Sequence, residues 1–303
     1  MDEARWVSAH AFYHDDLDQL LVDAVAPLAA ELTERGLATD FFFLRCWDGG
    51  NHLRLRILPE PAVERGDVET VISERLGEFF ATRPSTTAAR QKDYERMAAL
   101  LARQERVSSY SRSLYPNNSL LLVPYRREHG RHRDGPAVRA VERHFVESSR
   151  LALDMLVDGL TPGERATAAY AMTCIAWFAS VSEPQRLTEL VRASGRSAEQ
   201  VGLLDKGRAL ESQREQAITL ARRIRTAENS GALAAWARSV TTLRETLTSR
   251  EGRRDAGGSA FAVMDRCARL LCNRLGVPLV EEESLRHLAT EAVAALANDG
   301  ATA

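Results

Sequence analysis

The 303-residue chain is poor in cysteine and contains no long apolar run, and each shortage excludes a class of protein. Its 4 cysteines form no Cys-x-x-Cys pair and no Cys/His ligand spacing, so neither a disulfide scaffold nor a zinc site is predicted. No apolar stretch approaches the roughly 20 residues of a membrane span. The first residues, MDEARW, lack the basic and apolar regions of a signal peptide, so we expect a cytoplasmic protein with no membrane partner.

A dominant charge is also missing. The 40 basic and 42 acidic residues leave a net charge of −2, which argues against a general nucleic-acid binder. Lysine itself is almost absent, because Lys92 and Lys206 are the only two lysines. Part of this bias fits the codon usage of a GC-rich genome. Arginine is nevertheless the better ligand for carboxylates, since its planar guanidinium binds them bidentately.

The first third of the chain mixes strands and helices. Two strand-like runs, 41–47 and 52–58, flank Asp48-Gly49-Gly50-Asn51, whose residues tolerate positive φ, and this pattern predicts a β-hairpin. Apolar spacing predicts further elements, namely strands at 6–13 and 119–125 and helices at about 15–34, 62–81 and 91–106.

Beyond Pro136 the pattern is almost entirely helical. Apolar periodicity predicts helices near 136–158, 162–181, 203–226, 230–249, 258–275 and 281–297. We therefore expect an α+β fold, with a mixed strand/helix part containing a hairpin sheet over 1–135, packed on a mainly helical part over 136–303. No linker separates the two parts, so a single domain over 1–303 is predicted.

The second hairpin strand carries the first candidate site. Because side chains alternate along a strand, His52, Arg54 and Arg56 share one face, while leucine and isoleucine side chains share the other. Two guanidiniums on one face are suited to holding a carboxylate or another anion. Periodicity alone favours the ordinary alternative, which is an amphipathic strand whose polar face is solvated.

The second candidate is the charged segment from Tyr125 to Arg133. Glu128 and Arg131 are three residues apart, so one helical turn would bring them together. Composition alone favours a solvated loop. The histidines at 129 and 132 have no evident third ligand, so no metal site is predicted. The chain also lacks the G-x-S-x-G, phosphate-loop and dinucleotide-binding patterns, and we expect no cofactor.

Several stretches together resemble the C-terminal domain of class I lantibiotic dehydratases, which also occurs as a standalone thiopeptide-type bacteriocin biosynthesis protein. The stretches are WVSAHAFYHDDLDQLL, FFFLRCWDGGNHLRLRIL, LVPYRREHGRH, VERHFVESSR and CNRLGV. They extend from Trp6 to Val277, so the resemblance covers essentially the whole chain, although the region 185–255 matches little.

The resemblance implies a role in dehydrating a precursor peptide. In full-length dehydratases one domain transfers glutamate from glutamyl-tRNA to Ser or Thr, and the C-terminal domain eliminates it to leave dehydroalanine or dehydrobutyrine. A chain of 303 residues is too short to include the glutamylating domain. The expected partners are therefore a precursor peptide with its leader and a separate tRNA-dependent glutamylating dehydratase subunit. A homodimer is a further expectation without a sequence signature of its own.

By motif match, the resemblance assigns catalytic roles to Arg54, Arg56, Glu128 and Arg131. The family's histidine, four residues before Asn273, is replaced by Arg269. Arginine stays protonated in proteins and cannot act as the base. If elimination persists, Glu128, His52 or a histidine of the charged segment would have to transfer the proton. The residues predicted to bind substrate are His52, Arg269 and Asn273.

Two alternatives remain open. The same family includes the pyridine synthases of thiopeptide biosynthesis, which join two dehydroalanines in a formal [4+2] cycloaddition and expel water and the leader peptide. Replacement of the histidine by Arg269 is expected in that branch, whereas the retained arginines and Glu128 favour elimination, which we rank first. The other alternative is a non-catalytic subunit that binds a leader peptide, since a degenerate site could still recruit one.

Overall fold

The computed structural model describes residues 6–105, 107–126, 136–194, 207–226, 229–249 and 258–299. The described residues divide into two compact units, one within Met1–Arg131 and Leu153–Asp158, the other within His132–Ala152 and Gly159–Ala303. The first unit is α+β and the second is helical, so the predicted fold class is confirmed. That the chain forms a single domain stays a prediction.

The first unit is built on a four-stranded antiparallel sheet. The strands are β1 (Val7–Phe12), β2 (Ala38–Cys46), β3 (His52–Pro59) and β4 (Ser119–Leu122), in the spatial order β2-β3-β1-β4. β2 and β3 form the predicted hairpin. β1 lies in the interior of the sheet, beside β3, although a helix and β2 separate these two strands in sequence.

The hairpin turn requires glycine at two successive positions. Gly49 and Gly50 have φ values of +86° and +115°, a region that side chains rarely adopt. Space is also restricted, because a Cβ on Gly49 would lie 2.5 Å from Cδ2 of Tyr115. The Gly49 amide donates to the Tyr94 hydroxyl (2.8 Å), and its carbonyl accepts from the Tyr115 amide (2.7 Å). These bonds fix the turn that precedes His52.

The helix predicted at 15–34 is interrupted in the structure. It consists of α1 (Leu17–Leu20), a π-helical stretch (Leu21–Val25) and α2 (Ala26–Glu34). Pro27 explains the interruption, since proline has no N–H to donate to the carbonyl of Asp23. The Ala26 amide instead reaches back to the Leu21 carbonyl.

Two more helices complete the first unit, α3 (Arg65–Thr82) and α4 (Gln91–Glu105). The apolar face of the sheet lies against helices: α2 contacts β2, and α3 contacts β1. The fully buried residues of this face include Val7, Ala9, Ala11, Phe43, Leu53, Leu55 and Ile57. The opposite face carries the polar side chains of β3.

The second unit is helical. Its helices are α5 (Pro136–Val157, whose last residues belong to the first unit), α6 (Pro162–Ser180), α7 (Pro184–Ser194), α8 (Gly207–Thr226), α9 (Gly231–Thr248), α10 (Gly258–Arg274) and α11 (Leu279–Asp299). α6 is the central helix, because it contacts α7 to α11. Thr161 and Glu164 form a capping box at its start, as the Thr-Pro-Gly-Glu sequence suggests.

α7 is the one helix of the described residues that the periodicity did not predict. Its buried apolar residues are Leu187 and Val191, and together with Leu190 they span little more than one turn, which is too short to stand out in a window of ordinary length. The predicted start of the next helix, at 203, lies outside the described residues. No helix in the described parts of the chain is both long and apolar enough to cross a membrane.

Candidate functional site

The polar face of the sheet brings together the residues of the first candidate site. His52, Arg54 and Arg56 lie along β3, as predicted. The register of β1 places His10 directly opposite Arg54, and Phe12 opposite His52. Residues directly opposite each other in an antiparallel pair point to the same face of the sheet. His10 therefore joins the three predicted residues.

This face is buried, so the solvated-face alternative is wrong. His52 is fully buried and Arg56 is only 3% exposed, whereas the Arg54 side chain keeps 24% of its surface exposed. The guanidinium carbon of Arg56 lies 5.8 Å from the centre of the Tyr125 ring, a cation–π contact. Removing a guanidinium from water is costly unless its surroundings compensate.

The two imidazoles stack on each other and receive hydrogen bonds from the arginines. The ring centroids of His10 and His52 are 5.1 Å apart. Nδ1 of His52 lies 2.9 Å from the Gly50 carbonyl, which only accepts, so Nδ1 carries the proton. Nε2 of His52 then accepts from Nε of Arg54 at 3.5 Å. Nε2 of His10 is likewise 3.5 Å from Nη2 of Arg56, which can only donate.

Both imidazoles are neutral near pH 7. Burial lowers the pKa of His10 to about 3, and the charges of His52, Arg56 and Arg54 act in the same direction. Burial also lowers the pKa of His52 to about 4, partly opposed by its hydrogen bond to Gly50. A neutral imidazole has a lone pair that can accept a proton. The sheet face thus combines two cations with two neutral imidazoles.

Asp48, in the hairpin turn, positions Arg54. Its Oδ2 lies 3.6 Å from Nη2 of Arg54, and its Oδ1 accepts from the Ser111 amide at 2.6 Å. A carboxylate anchored to the backbone in this way restricts the guanidinium to the sheet face. The arrangement is suited to binding a carboxylate beside a group that can take a proton.

Glu128 and Arg131, the second pair of predicted catalytic residues, lie outside the described residues, as do the histidines at 129 and 132. Their roles stay predictions.

Arg269, predicted to bind substrate, is held by carboxylates of the second unit. Its Nη1 lies 3.0 Å from oxygens of both Glu282 and Glu283, and its Nε lies 3.8 Å from Asp265. Burial lowers the pKa of Arg269, but the three carboxylates outweigh it and raise the net pKa. A substrate carboxylate would have to compete with these resident partners. Asn273, one turn later on α10, is half-buried, and its carbonyl accepts from the Gly276 amide at 3.1 Å.

His10 is the residue that sequence reasoning missed. The segment WVSAHAFY does alternate, placing Ser8, His10 and Phe12 on one face, so the signal was present. Its relevance depends on the pairing of β1 with β3, which no local pattern specifies.

Comparisons with known proteins find one family profile and several solved structures that are similar to this chain. The family profile described as "Lantibiotic biosynthesis dehydratase C-term" matches residues 6–293. The solved structure "Pyridine synthase, TbtD, from thiomuracin biosynthesis" is 21% identical, with a TM-score of 0.76 over 97% of this chain and 99% of that one. TsrL is 17% identical, with a TM-score of 0.64 over 97% of this chain and 95% of that one.

The tRNA-dependent lantibiotic dehydratase MibB from Microbispora sp. 107891 is similar as well. It is 18% identical, with a TM-score of 0.57, and the match covers 98% of this chain but only 28% of MibB. No curated protein sequence matches. At these identities the solved structures establish a shared fold.

Proposed function

The chain belongs to the family of lantibiotic biosynthesis dehydratase C-terminal domains, and from that premise we propose that it is a lyase-type enzyme that eliminates glutamate from glutamylated Ser or Thr. The substrate is the precursor of a ribosomally synthesised, post-translationally modified peptide (RiPP), and the product contains dehydroalanine or dehydrobutyrine. The observation that supports this proposal is the sheet face on which Arg54 and Arg56 lie beside the neutral imidazoles of His10 and His52.

Elimination needs a group that takes a proton and groups that bind a carboxylate. A base takes the proton from Cα, the electrons of that C–H bond form the Cα=Cβ double bond, and the Cβ–O bond breaks to release glutamate as a carboxylate. Arg54 and Arg56 hold the free carboxylate of the glutamyl ester and the ester oxygens that become the leaving carboxylate, since guanidiniums bind carboxylates bidentately. In a buried site the same charges stabilise the negative charge that develops on the leaving oxygen.

The remaining assignments rest on the family resemblance. Glu128 transfers or positions the proton, and Arg131 stabilises the enolate or the leaving carboxylate. On the same resemblance, we assign glutamylation to a separate dehydratase subunit. The precursor peptide with its leader is the other partner.

A specific observation favours pyridine synthesis as the second candidate. At the family's histidine position Arg269 is bound by Glu282 and Glu283, so this position supplies no base. The protein TbtD, whose name describes a pyridine synthase, is also similar along 99% of its length. The formal [4+2] reaction of two dehydroalanines requires orientation and proton transfer, which the same sheet face would provide.

Mass spectrometry of the purified protein with two peptides separates the candidates. Loss of glutamate from a glutamylated peptide is the expected result. Ring formation and leader release from a bis-dehydroalanine peptide would instead identify a synthase. No turnover of the glutamylated peptide, even with the partner dehydratase present, would refute elimination. Unchanged product formation by Arg54→Ala and Glu128→Ala variants that still bind peptide would favour a non-catalytic leader-binding subunit.

A further inference from the structure

Tyr94, on α4, has a buried hydroxyl that binds both the hairpin turn and the segment that precedes β4. The residue is only 3% exposed. Its hydroxyl accepts from the Gly49 amide at 2.8 Å and donates to the Ser111 carbonyl at 2.6 Å. A phenolic hydroxyl can do both at once, because it is a donor and an acceptor. Burial raises the pKa of Tyr94, so the hydroxyl stays protonated at neutral pH and keeps the proton that it donates.

The bond to Ser111 leads to Arg54. The Ser111 amide donates to Oδ1 of Asp48 at 2.6 Å, and Oδ2 of the same carboxylate lies 3.6 Å from Nη2 of Arg54. Tyr94 and Asp48 therefore hold the same residue, one at its carbonyl and the other at its amide. A carboxylate that is bound to the backbone has less freedom to move, and so has the guanidinium paired with it.

The bond to Gly49 leads to His52. Gly49 is followed by Gly50, whose carbonyl lies 2.9 Å from Nδ1 of His52. Glycine adopts many backbone conformations, so the direction of this carbonyl depends on the bonds that fix the turn. With the proton on Nδ1, Nε2 of His52 accepts from Nε of Arg54 at 3.5 Å. In the other tautomer Nε2 would carry the proton, and two N–H groups would face each other.

We propose that Tyr94 is a positioning residue whose hydroxyl closes a circuit of polar contacts, and that this circuit fixes both the tautomer of His52 and the orientation of Arg54. The circuit consists, in order, of Tyr94, Ser111, Asp48, Arg54, His52, Gly50 and Gly49. Loss of the hydroxyl removes an anchor of the glycine turn on one branch and an anchor of Ser111 on the other. Tyr94 acts on the assembly of the site, and only the kinetic consequence rests on the elimination proposed above.

Nitrogen NMR of ¹⁵N-histidine-labelled protein tests the role of Tyr94 without turnover. Tyr94→Phe keeps the aromatic ring and removes the hydroxyl, and the His52 resonances are assigned by their loss in His52→Asn. In the wild type, the Nδ1 and Nε2 shifts of His52 should lie far apart, as in a single neutral tautomer. In Tyr94→Phe they should move toward each other, because both tautomers become populated. Unchanged His52 shifts in Tyr94→Phe would overturn the proposal.

Tyr170→Phe is the matched control. Tyr170 lies on α6 in the second unit, is 4% exposed, and donates its hydroxyl proton to the Ala217 carbonyl at 2.8 Å. This substitution also removes a buried hydrogen bond from a tyrosine to a backbone carbonyl, but outside the circuit, so the His52 shifts should match those of the wild type. The same change of the His52 shifts in both variants would indicate a general loosening of the protein and would overturn the proposal.

Elimination kinetics test whether the two branches act together. Tyr94→Phe should lower kcat/KM for a glutamylated peptide at least about tenfold, since a displacement of about 1 Å at a site can cost about 100-fold. Asp48→Asn removes the charge that holds Arg54 and leaves both bonds of Tyr94 in place. Because both substitutions break one circuit, the double variant should lie within about twofold of the more impaired single variant.

Two kinetic results would overturn the proposal: a wild-type kcat/KM in Tyr94→Phe, or losses that multiply in the double variant, as they do for independent sites. A wild-type protein that does not eliminate glutamate would refute the proposed function instead. The His52 shifts would then still decide the role of Tyr94, so the two failures are distinguishable.

Discussion

Acidification should destabilise this protein through His144, a buried histidine in the second unit. His144 lies on α5 with 1% of its surface exposed, and its ring packs 4.9 Å from the Trp236 ring. The Ser239 hydroxyl donates to the Glu147 carboxylate, so its oxygen accepts from Nδ1 of His144 at 2.8 Å. Nε2 has no hydrogen-bond partner among the described residues. A proton added there would be buried without an acceptor.

The size of the effect follows from linkage. Burial, with a smaller contribution from Arg274, lowers the pKa of His144 from 6.5 to about 3. Above pH 6.5 the imidazole is neutral in both folded and unfolded chains and has no effect. Between pH 6.5 and 3 the unfolded chain binds a proton that the folded chain does not, so stability falls as the pH falls. At about 1.4 kcal/mol per pH unit, His144 alone should cost about 2 kcal/mol at pH 5.

The acid destabilisation is measured by urea denaturation at pH 7 and pH 5. Unfolding is followed by tryptophan fluorescence and circular dichroism. The wild type should lose more free energy of unfolding between the two pH values than His144→Asn does, by about 2 kcal/mol. Comparing the losses within each variant cancels any cost of the substitution itself. His287→Asn is the control and should show the wild-type loss. An identical loss in wild type and His144→Asn would refute the assignment of acid sensitivity to this residue.

Three further predictions concern other parts of the chain. Arg54→Lys keeps the charge but not the bidentate geometry, and it should raise KM for the glutamylated peptide at least about tenfold, measured by steady-state kinetics. Gly49→Ala should destabilise the protein by about 1–3 kcal/mol, because Gly49 has a positive φ and lies close to the Tyr115 ring. Gly77→Ala is the control, because Gly77 is exposed on α3 with open space around it, and this substitution should raise Tm slightly. Arg269→Met should lower the free energy of unfolding by about 3 kcal/mol at neutral pH, because it removes a cation that is paired with two buried carboxylates. This loss of stability should be smaller at low pH, because burial raises the pKa of Glu282 and its carboxyl group then takes up a proton. A loss of the same size at both pH values would contradict this reasoning.

The features predicted correctly from the sequence are those with local causes. The hairpin of β2 and β3 follows from alternation on both sides of a Gly-Gly turn, and both glycines have the expected positive φ. The capping box at Thr161 also has a local cause, because Thr161 and Glu164 lie within four consecutive residues. The break between α1 and α2 was not predicted, although it too has a local cause, since Pro27 lies inside the predicted helix.

The features that escaped prediction depend on distant parts of the chain. Burial of the Arg56 face could not be inferred from β3 alone, because alternation looks the same whether the polar face is solvated or covered. The contribution of His10 requires knowing that β1 pairs with β3. Glu282 resembles an ordinary acidic residue in the first turn of a helix, and only the packing of α11 near α10 makes it a partner of Arg269.

The environment of Arg269 makes it an unfavourable ligand for an anionic substrate. Its Nη1 lies 3.0 Å from oxygens of both Glu282 and Glu283, and its Nε lies 3.8 Å from Asp265. Each of these carboxylates would repel an incoming carboxylate, because Coulomb repulsion grows as like charges approach each other. Arg269 at the family's histidine position therefore stabilises the helical unit. Because arginine stays protonated in proteins, the base for elimination has to come from another position.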